Sequence, residues 1–160
     1  RLGARPVHLL LVGDGELRAE LESLGRTLAP PGGRVHFAGH QRELRDLYAA
    51  MDLFALTSDS EQHPVALLEA MAAGLAVVAT DVGDVRPVLP AAQHPYVVPL
   101  AQADRHAFTV AIETLLASPD LRNSLGAINA RRVVDAYSFD AMVAAYRQVY
   151  GAALRARGNA

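Results

Sequence analysis

The sequence predicts an α/β protein in which helices flank a parallel sheet. Short, continuous apolar runs are typical of strands that are buried on both faces of such a sheet. Between these runs, apolar residues recur at helical spacing, and Gly- or Pro-rich segments separate the two patterns. Because strands and helices alternate along the chain, we expect right-handed crossovers between parallel strands.

In the first part of the chain, residues 7–12 form an apolar run that ends at a tight strand-to-helix turn, Gly13-Asp14-Gly15. Leucines at helical spacing predict a helix over 16–28, which Pro30-Pro31-Gly32-Gly33 ends. The next predicted elements are a strand at 35–38, a short helix at 44–51 and a strand at 53–56.

The second part begins with a helix at Pro64, since proline is favoured at the first helical position. Residues 75–80 are predicted as a strand, 81–89 as a loop with one helical turn, and 96–98 as a brief strand. Helices then follow over 104–116 and 119–136, and a last helix over 139–156 is capped by Ser138.

Composition restricts the function classes. A chain of 160 residues with 51% hydrophobic residues is large enough for one domain with a real core. Its net charge of -2 gives no electrostatic case for nucleic acid, and the absence of Cys excludes disulfides and thiolate metal sites. The chain has no apolar run of membrane-spanning length and no signal-peptide pattern, so we expect a cytoplasmic protein.

Two acidic residues flank the predicted helix start at Pro64. Glu61 precedes the helix and Glu69 follows Pro64 by five residues, which is about 7.5 Å along a helix axis. The first turn contains no acid, so its amides and dipole favour an anion such as phosphate. Carboxylates accept strong hydrogen bonds from hydroxyl groups. The layout suits a diphosphate that joins two hydroxyl-rich groups. Taken alone, an acid before a helix more often interacts only with the helix dipole, and an acid within a helix is more often simply solvated.

The segment from Glu61 to Thr80 resembles the donor-binding signature of family 4 glycosyltransferases. In that signature a Glu is followed, after seven residues, by a second Glu in an E-A-M-A-x-G context and then by V-V-A-T, as at residues 69–74 and 77–80 here. Family members are retaining enzymes of the GT-B fold. The resemblance implies a Rossmann-like parallel sheet flanked by helices, the C-terminal half of that fold.

The resemblance also implies roles for individual residues. Glu61 would contact the donor hexose and is the candidate catalytic residue, and Glu69 would contact the nucleotide ribose. The amides of His63 and Val65 would face the diphosphate. No metal ligand spacing is present, and no cofactor is expected.

Two further candidates lie nearer the N-terminus. His40, just after Gly39, matches the place where the family's loop meets the base, and an exposed turn His is an equally good interpretation. Gly13 belongs to a turn that would border the donor cleft. The Gly13–Gly15 turn lacks the third Gly of a dinucleotide fingerprint, and no acid ends the next strand.

The chain also departs from the family pattern at several positions. Commoner family residues are replaced within the signature and in the segment that follows it, which affects the loop that closes on the hexose and, at His63, the hexose preference. The departures are Gln62, His63 and Ala76 in place of Gly, Phe and Pro, Asp84 and Pro87 in place of Gly and Glu, and Pro95-Tyr96 in place of Gly-Leu.

The resemblance implies that residues 1–160 form a single donor-binding domain whose first strand and most of whose first helix are absent. Residues 1–5 resemble the tail of that helix, and the Arg and Lys that clamp the diphosphate in the family would precede them; all 15 basic residues here are Arg. In the strand order 3-2-1-4-5-6 the absent strand is central. We therefore expect strands 7–12 and 53–56 to lack their shared neighbour.

The expected function is hexose transfer from a UDP- or GDP-linked sugar to an acceptor hydroxyl. The acceptor would be a glycan, lipid or small molecule held by an N-terminal domain, and this chain alone would be inactive. A peripheral membrane association of the parent enzyme is left open. The alternatives are a non-catalytic nucleotide-sugar binding domain and a nucleotide-sugar epimerase of GT-B architecture.

Overall fold

The computed structural model describes residues 6–28, 34–100 and 105–158, which form a mixed α/β structure of two compact units, Arg1–Ala50 and Met51–Ala160. The elements in chain order are β1 (His8–Val12), α1 (Arg18–Leu28), β2 (Arg34–Gly39), α2 (Arg45–Ala49), β3 (Phe54–Leu56), α3 (Val65–Ala72), β4 (Val77–Asp81), α4 (Val85–Val88), a 3-10 helix (Ala91–Tyr96), β5 (Val97–Pro99), α5 (Arg105–Ala117), α6 (Pro119–Ala136) and α7 (Phe139–Gly158).

The first unit is built on a parallel pair of strands, β1 and β2. Their register runs from His8 opposite Arg34 to Val12 opposite Gly39. Helix α1 packs on this pair through Gly25, where an added Cβ would lie 3.2 Å from the side chain of Val35. The absence of a side chain at this position therefore allows the helix to lie close to the strand.

The second unit contains a three-stranded parallel sheet in the order β3-β4-β5. The central strand β4 is buried from Val77 through Thr80. Since successive side chains of a strand point to opposite faces, β4 faces two apolar layers. Val77 and Ala79 pack in one cluster with residues of α3 and α4, and Val78 packs in a second cluster with residues of α5 and α6.

A buried pair of amide side chains continues the hydrogen bonding of β4. The Gln93 amide donates to the Val77 carbonyl at 2.7 Å, and its oxygen accepts from the Val77 amide at 3.3 Å. Asn129 of α6 donates to the Gln93 oxygen at 3.0 Å and to the Leu75 carbonyl at 2.8 Å. Gln93 and Asn129 are both 0% exposed, so these bonds replace ones that water would otherwise make.

Helix α6 comes very close to the turn that ends α3. An added Cβ at Gly126 would overlap the carbonyl group of Gly74, so no larger residue fits there without movement. Gly74 itself has φ 78°, in the left-handed region that ends many helices.

The predicted elements are present, with shifts of one to two residues at several ends. Pro64 caps α3 as the N-cap residue and is not its first helical residue, and β4 begins at Val77 where the sequence predicted residue 75. Tyr96, predicted as a strand residue, ends a 3-10 helix that the sequence analysis did not find. Such boundary shifts are common because helix and strand ends are set by individual hydrogen bonds.

The strand pairing agrees with the expected strand order. In the first unit β1 pairs with β2, and in the second unit the order is β3-β4-β5; that a central strand is missing stays a prediction. The predicted helix tail at residues 1–5, the break at residues 30–33 and the start of a helix at residue 104 lie outside the described residues. The single-domain assignment of residues 1–160 stays a prediction. Among the described helices, none is both long enough and apolar enough to cross a membrane.

Candidate functional site

The N-terminal end of α3 has the features predicted for an anion site. Pro64 is the N-cap with φ -69° and ψ 113°, and the first turn contains no acidic residue. Pro64 is buried, whereas the Val65 side chain is 64% exposed. The proline thus fixes the start of the helix in the second unit, while the first helical residue remains accessible. The partial positive charge of this helix end is not offset by an acid within its first turn.

Glu61 lies in the loop between β3 and α3 and is held by Ser58. The Ser58 hydroxyl donates to a carboxylate oxygen of Glu61 at 2.7 Å, and the Ser58 carbonyl accepts from the Thr80 hydroxyl at 2.5 Å. Because Thr80 belongs to β4, the end of β4 fixes the loop that follows β3. The Glu61 side chain is partly buried, and its orientation is set by a charge-assisted hydrogen bond.

The turn after β4 packs directly against the same loop. Gly83 has φ 49°, and a Cβ added there would overlap the carbonyl group of Glu61. The Asp84 amide donates to the Gln62 carbonyl at 2.9 Å. Only glycine satisfies both the backbone angle and the close approach at position 83. The loops after β3 and β4 are therefore joined by backbone contacts at the carboxyl edge of the sheet.

His63, directly before Pro64, makes two contacts with later parts of the chain. Its Nδ1 lies 3.2 Å from a carboxylate oxygen of Asp84, and its ring centroid is 5.7 Å from that of Tyr137. The guanidinium group of Arg132 lies over the Tyr137 ring, with its Cζ 5.8 Å from the ring centroid. The His63 side chain is thus oriented by the start of α4 and by the residue that follows α6.

Glu69 lies on the exposed side of α3, and the opposite side carries the buried residues Leu67, Ala70 and Met71. Its position in the helix is five residues beyond Pro64, so it is about 7.5 Å along the axis from the N-cap. The second unit therefore contains Glu61, His63, Val65 and Glu69 within one loop and the helix that follows it.

The remaining two candidates, Gly13 and His40, lie in the first unit. The Gly13 amide donates to the Gly39 carbonyl at 2.8 Å, which brings Gly13 and the exposed His40 to the same end of the β1-β2 pair. Beside this turn, a hydrogen bond to Glu22 and the nearby Asp14 carboxylate raise the pKa of Arg18. The positive charge of Arg18 is therefore shared by two carboxylates of the same unit.

Sequence reasoning missed the residues that support the site. Ser58, Thr80 and Gly83 orient the loop through contacts between segments that are about 20 residues apart, as in the Thr80–Ser58 bond. Asp84 was noted only as a departure from the family pattern. Within the described ranges, no group of three or more His, Cys, Asp or Glu residues could hold a metal ion.

Comparison with known proteins identifies the family. The model of a family described as Glycosyl transferases group 1 matches residues 1–118. The chain belongs to the group 1 glycosyl transferases. This finding and the parallel sheets flanked by helices confirm the predicted fold class, since solved glycosyltransferases of this architecture superpose on the chain.

Individual relatives agree with the assignment. The lipopolysaccharide core biosynthesis glycosyltransferase LpsE of Rhizobium meliloti (strain 1021) is 34% identical over 143 residues, which are 89% of this chain and 41% of that protein. The structure of sucrose-phosphate synthase from Thermosynechococcus elongatus matches with a TM-score of 0.72 at 29% identity, over 90% of this chain and 39% of that one.

A third match is a structure of Anabaena Alr3699/HepE in complex with UDP-glucose. It superposes with a TM-score of 0.58 at 27% identity, over 77% of this chain and 36% of that one. The chain thus spans less than half the length of each of these three proteins.

Proposed function

We propose that the chain is the donor-binding domain of a family 4 retaining glycosyltransferase, which transfers a hexose from a UDP- or GDP-linked sugar to an acceptor hydroxyl. One observation carries the proposal: the first turn of α3 contains no acidic residue and is accessible at Val65, and it adjoins a loop that holds Glu61 in a fixed orientation. Membership of the group 1 family and the likeness to a protein crystallised with UDP-glucose support it.

In this proposal the diphosphate, the hexose and the ribose each have a partner in the second unit. The diphosphate lies at the N-terminal end of α3, where the backbone amides of His63 and Val65 donate to its oxygens. Glu61 accepts hydrogen bonds from hexose hydroxyls, and Glu69 accepts them from the ribose hydroxyls. The roles of Gly13 beside the cleft and of His40 at the base stay predictions.

The proposed reaction needs no nucleophilic side chain. The bond between the anomeric carbon and the diphosphate breaks while the acceptor oxygen bonds to the same face of that carbon. The acceptor's proton passes to an oxygen of the departing diphosphate. The protein then stabilises the charge that develops on the diphosphate and holds the hexose in place. The helix end supplies the first effect and Glu61 the second.

The rest of the parent protein completes the proposed activity. An N-terminal domain would hold the acceptor, a glycan, lipid or small molecule, so the chain alone would bind donor without turnover. The proposal includes no cofactor and no metal ion, and it places the enzyme in the cytoplasm. Peripheral contact with a membrane would depend on the acceptor.

Calorimetry on the protein that contains this chain tests the donor roles. Replacing Glu69 by Gln should weaken UDP or GDP binding by about 1–1.5 kcal/mol, since hydrogen bonds to a charged group are exchanged for weaker ones to a neutral amide. Replacing Glu61 by Gln should leave binding of the nucleoside diphosphate unchanged and weaken binding of UDP-glucose or a GDP-hexose. Glu113→Gln on α5 is the matched control and should change neither affinity.

Three outcomes decide between the functions. If the Glu69→Gln protein bound UDP and GDP as tightly as the unsubstituted protein does, Glu69 would have no role at the ribose. Donor binding without any transfer to glycan, lipid or small-molecule acceptors would favour a non-catalytic binding domain. Release of an epimerised nucleotide sugar would identify an epimerase.

A further inference from the structure

The contact between His63 and Asp84 joins two positions that both depart from the commoner family residues. The His63 Nδ1 and the Asp84 Oδ2 are 3.2 Å apart, and the Asp84 amide donates to the carbonyl of the preceding residue, Gln62, at 2.9 Å. Asp84 therefore holds the loop before α3 through both its backbone and its side chain.

The conformation of Asp84 supports a dedicated role for this contact. Asp84 is the N-cap residue of α4, a position where an Asp side chain ordinarily accepts a hydrogen bond from the helix's own first turn. No such capping bond is formed, and the carboxylate is directed to His63 instead. The interaction across the loops thus replaces a local one.

Because an ionised carboxylate only accepts hydrogen bonds, Nδ1 of His63 must carry the hydrogen in this contact. The Tyr137 ring, 5.7 Å away, limits rotation of the imidazole from another side. Arg132, which lies over Tyr137, donates to the carbonyls of Val88 and Pro87 and so ties that side back to α4. The ring is held at Nδ1 and along one face by parts of the chain outside its own loop.

We propose that the His63–Asp84 pair is a positioning element that fixes residues 61–65, so that Glu61 and the amides at the start of α3 keep the orientation needed for the donor. This inference rests on the proposed function. The departures from the commoner family residues at positions 63 and 84 then act as one coupled change, because His63 and Asp84 contact each other.

The size of the effect expected on losing the His63–Asp84 contact follows from the exposure of the two side chains. The side chains of His63 and Asp84 are 44% and 58% exposed, so solvent screens their attraction. Exposed pairs of this kind change an equilibrium by about 1.5- to 5-fold. Loss of the pair should therefore raise the Kd for UDP, and lower kcat/KM for UDP-glucose, by a factor in this range.

Two substitutions of His63 separate positioning from direct contact with the donor. In His63→Asn the side-chain amide takes the place of Nδ1 and retains the donor to Asp84. In His63→Gln the amide reaches the place of Nε2 instead. Positioning through Asp84 predicts that Asn preserves UDP affinity and that Gln lowers it. The opposite order would show that His63 touches the donor through Nε2 and would overturn the proposal.

A double-substitution cycle tests the coupling. His63→Phe and Asp84→Gly should each weaken UDP binding, and the combined variant should bind better than the product of the two losses predicts. Asp135→Asn is the matched control, because it removes an exposed ion pair with Arg131 on α6. Losses that simply multiply in the combined variant would contradict the coupling.

Amide hydrogen exchange on the protein that contains this chain provides a readout that needs no donor. The Asp84 amide, which donates to the Gln62 carbonyl, should exchange faster in His63→Gln and His63→Phe and at the unsubstituted rate in His63→Asn and Asp135→Asn. Equal rates in all variants would overturn the positioning role. If the unsubstituted protein binds neither UDP nor GDP, the proposed function fails, and the exchange rates still decide whether the pair holds the loop.

Discussion

Alanine at position 83 should destabilise the contact between the loops after β3 and β4. Gly83 has φ 49°, and an added Cβ would overlap the Glu61 carbonyl group, which belongs to the backbone and has no alternative rotamer. The left-handed conformation costs a non-glycine residue about 1–2 kcal/mol. Relief of the overlap by movement of the backbone adds about 1–3 kcal/mol. The expected loss of unfolding free energy is therefore about 2–5 kcal/mol.

Two other glycines separate the two contributions. Gly74 also has a left-handed backbone, with φ 78°, but an added Cβ would meet nothing within 4 Å. Gly74→Ala should therefore cost only the conformational part, about 1–2 kcal/mol. Gly15 lies outside the left-handed region and has open space around the added Cβ. Gly15→Ala should change stability by less than about 1 kcal/mol.

Urea unfolding of the protein that contains this chain measures all three variants under the same conditions. UDP-glucose titration of the folded variants should show weaker binding for Gly83→Ala alone, because only that change displaces the backbone of Glu61. If Gly83→Ala were no less stable than Gly74→Ala, the close approach of the two loops would be refuted. An unaltered UDP-glucose affinity would show that this contact does not support the donor site.

Two further predictions concern side chains that sequence analysis did not identify. Ser58→Ala should raise the Kd for UDP-glucose by about tenfold, because Glu61 loses a charge-assisted hydrogen bond worth about 1.5 kcal/mol. Gln93→Leu should lower the unfolding free energy by about 2–6 kcal/mol in urea, because the amide and the carbonyl of Val77 are both left unpaired in the core.

Exposed residues of the same types provide the controls. Ser124 and Gln148 lie on the solvent side of α6 and α7, so Ser124→Ala and Gln148→Leu should change stability by no more than about 0.5 kcal/mol. A Ser58→Ala protein with unaltered UDP-glucose affinity would argue against a role for the Glu61 orientation. A Gln93→Leu protein as stable as Gln148→Leu would mean that the backbone of Val77 finds other partners.

Local signals in the sequence predicted the helices well. Helix α6 runs over Pro119–Ala136 as expected, and the Ser118 hydroxyl accepts from the Leu121 amide at its start. Helix α7 begins at Phe139 after Ser138, whose hydroxyl accepts from the Ala141 amide. In each case the capping residue directly precedes its helix in the chain, so the start of the helix could be predicted from the local sequence.

Features that depend on tertiary contacts were not predictable in the same way. The 3-10 helix at Ala91–Tyr96 places Gln93 against β4, and the reason for its conformation lies 16 residues away at Val77. The motif around Glu61 and Glu69 indicated the candidate site, but the bond from Thr80 to Ser58 and the approach of Gly83 appear only when β3 and β4 are paired.

Helix α3 has eight residues and serves both the core and the proposed site. Leu67 and Met71 pack in the core, and Glu69 lies on the opposite side of the helix. Any change to its buried side would alter folding and the proposed donor recognition together, so a mutational scan could not separate the two effects. Attempts to change the proposed sugar preference should therefore begin at Gln62, whose exposed side chain lies before the helix.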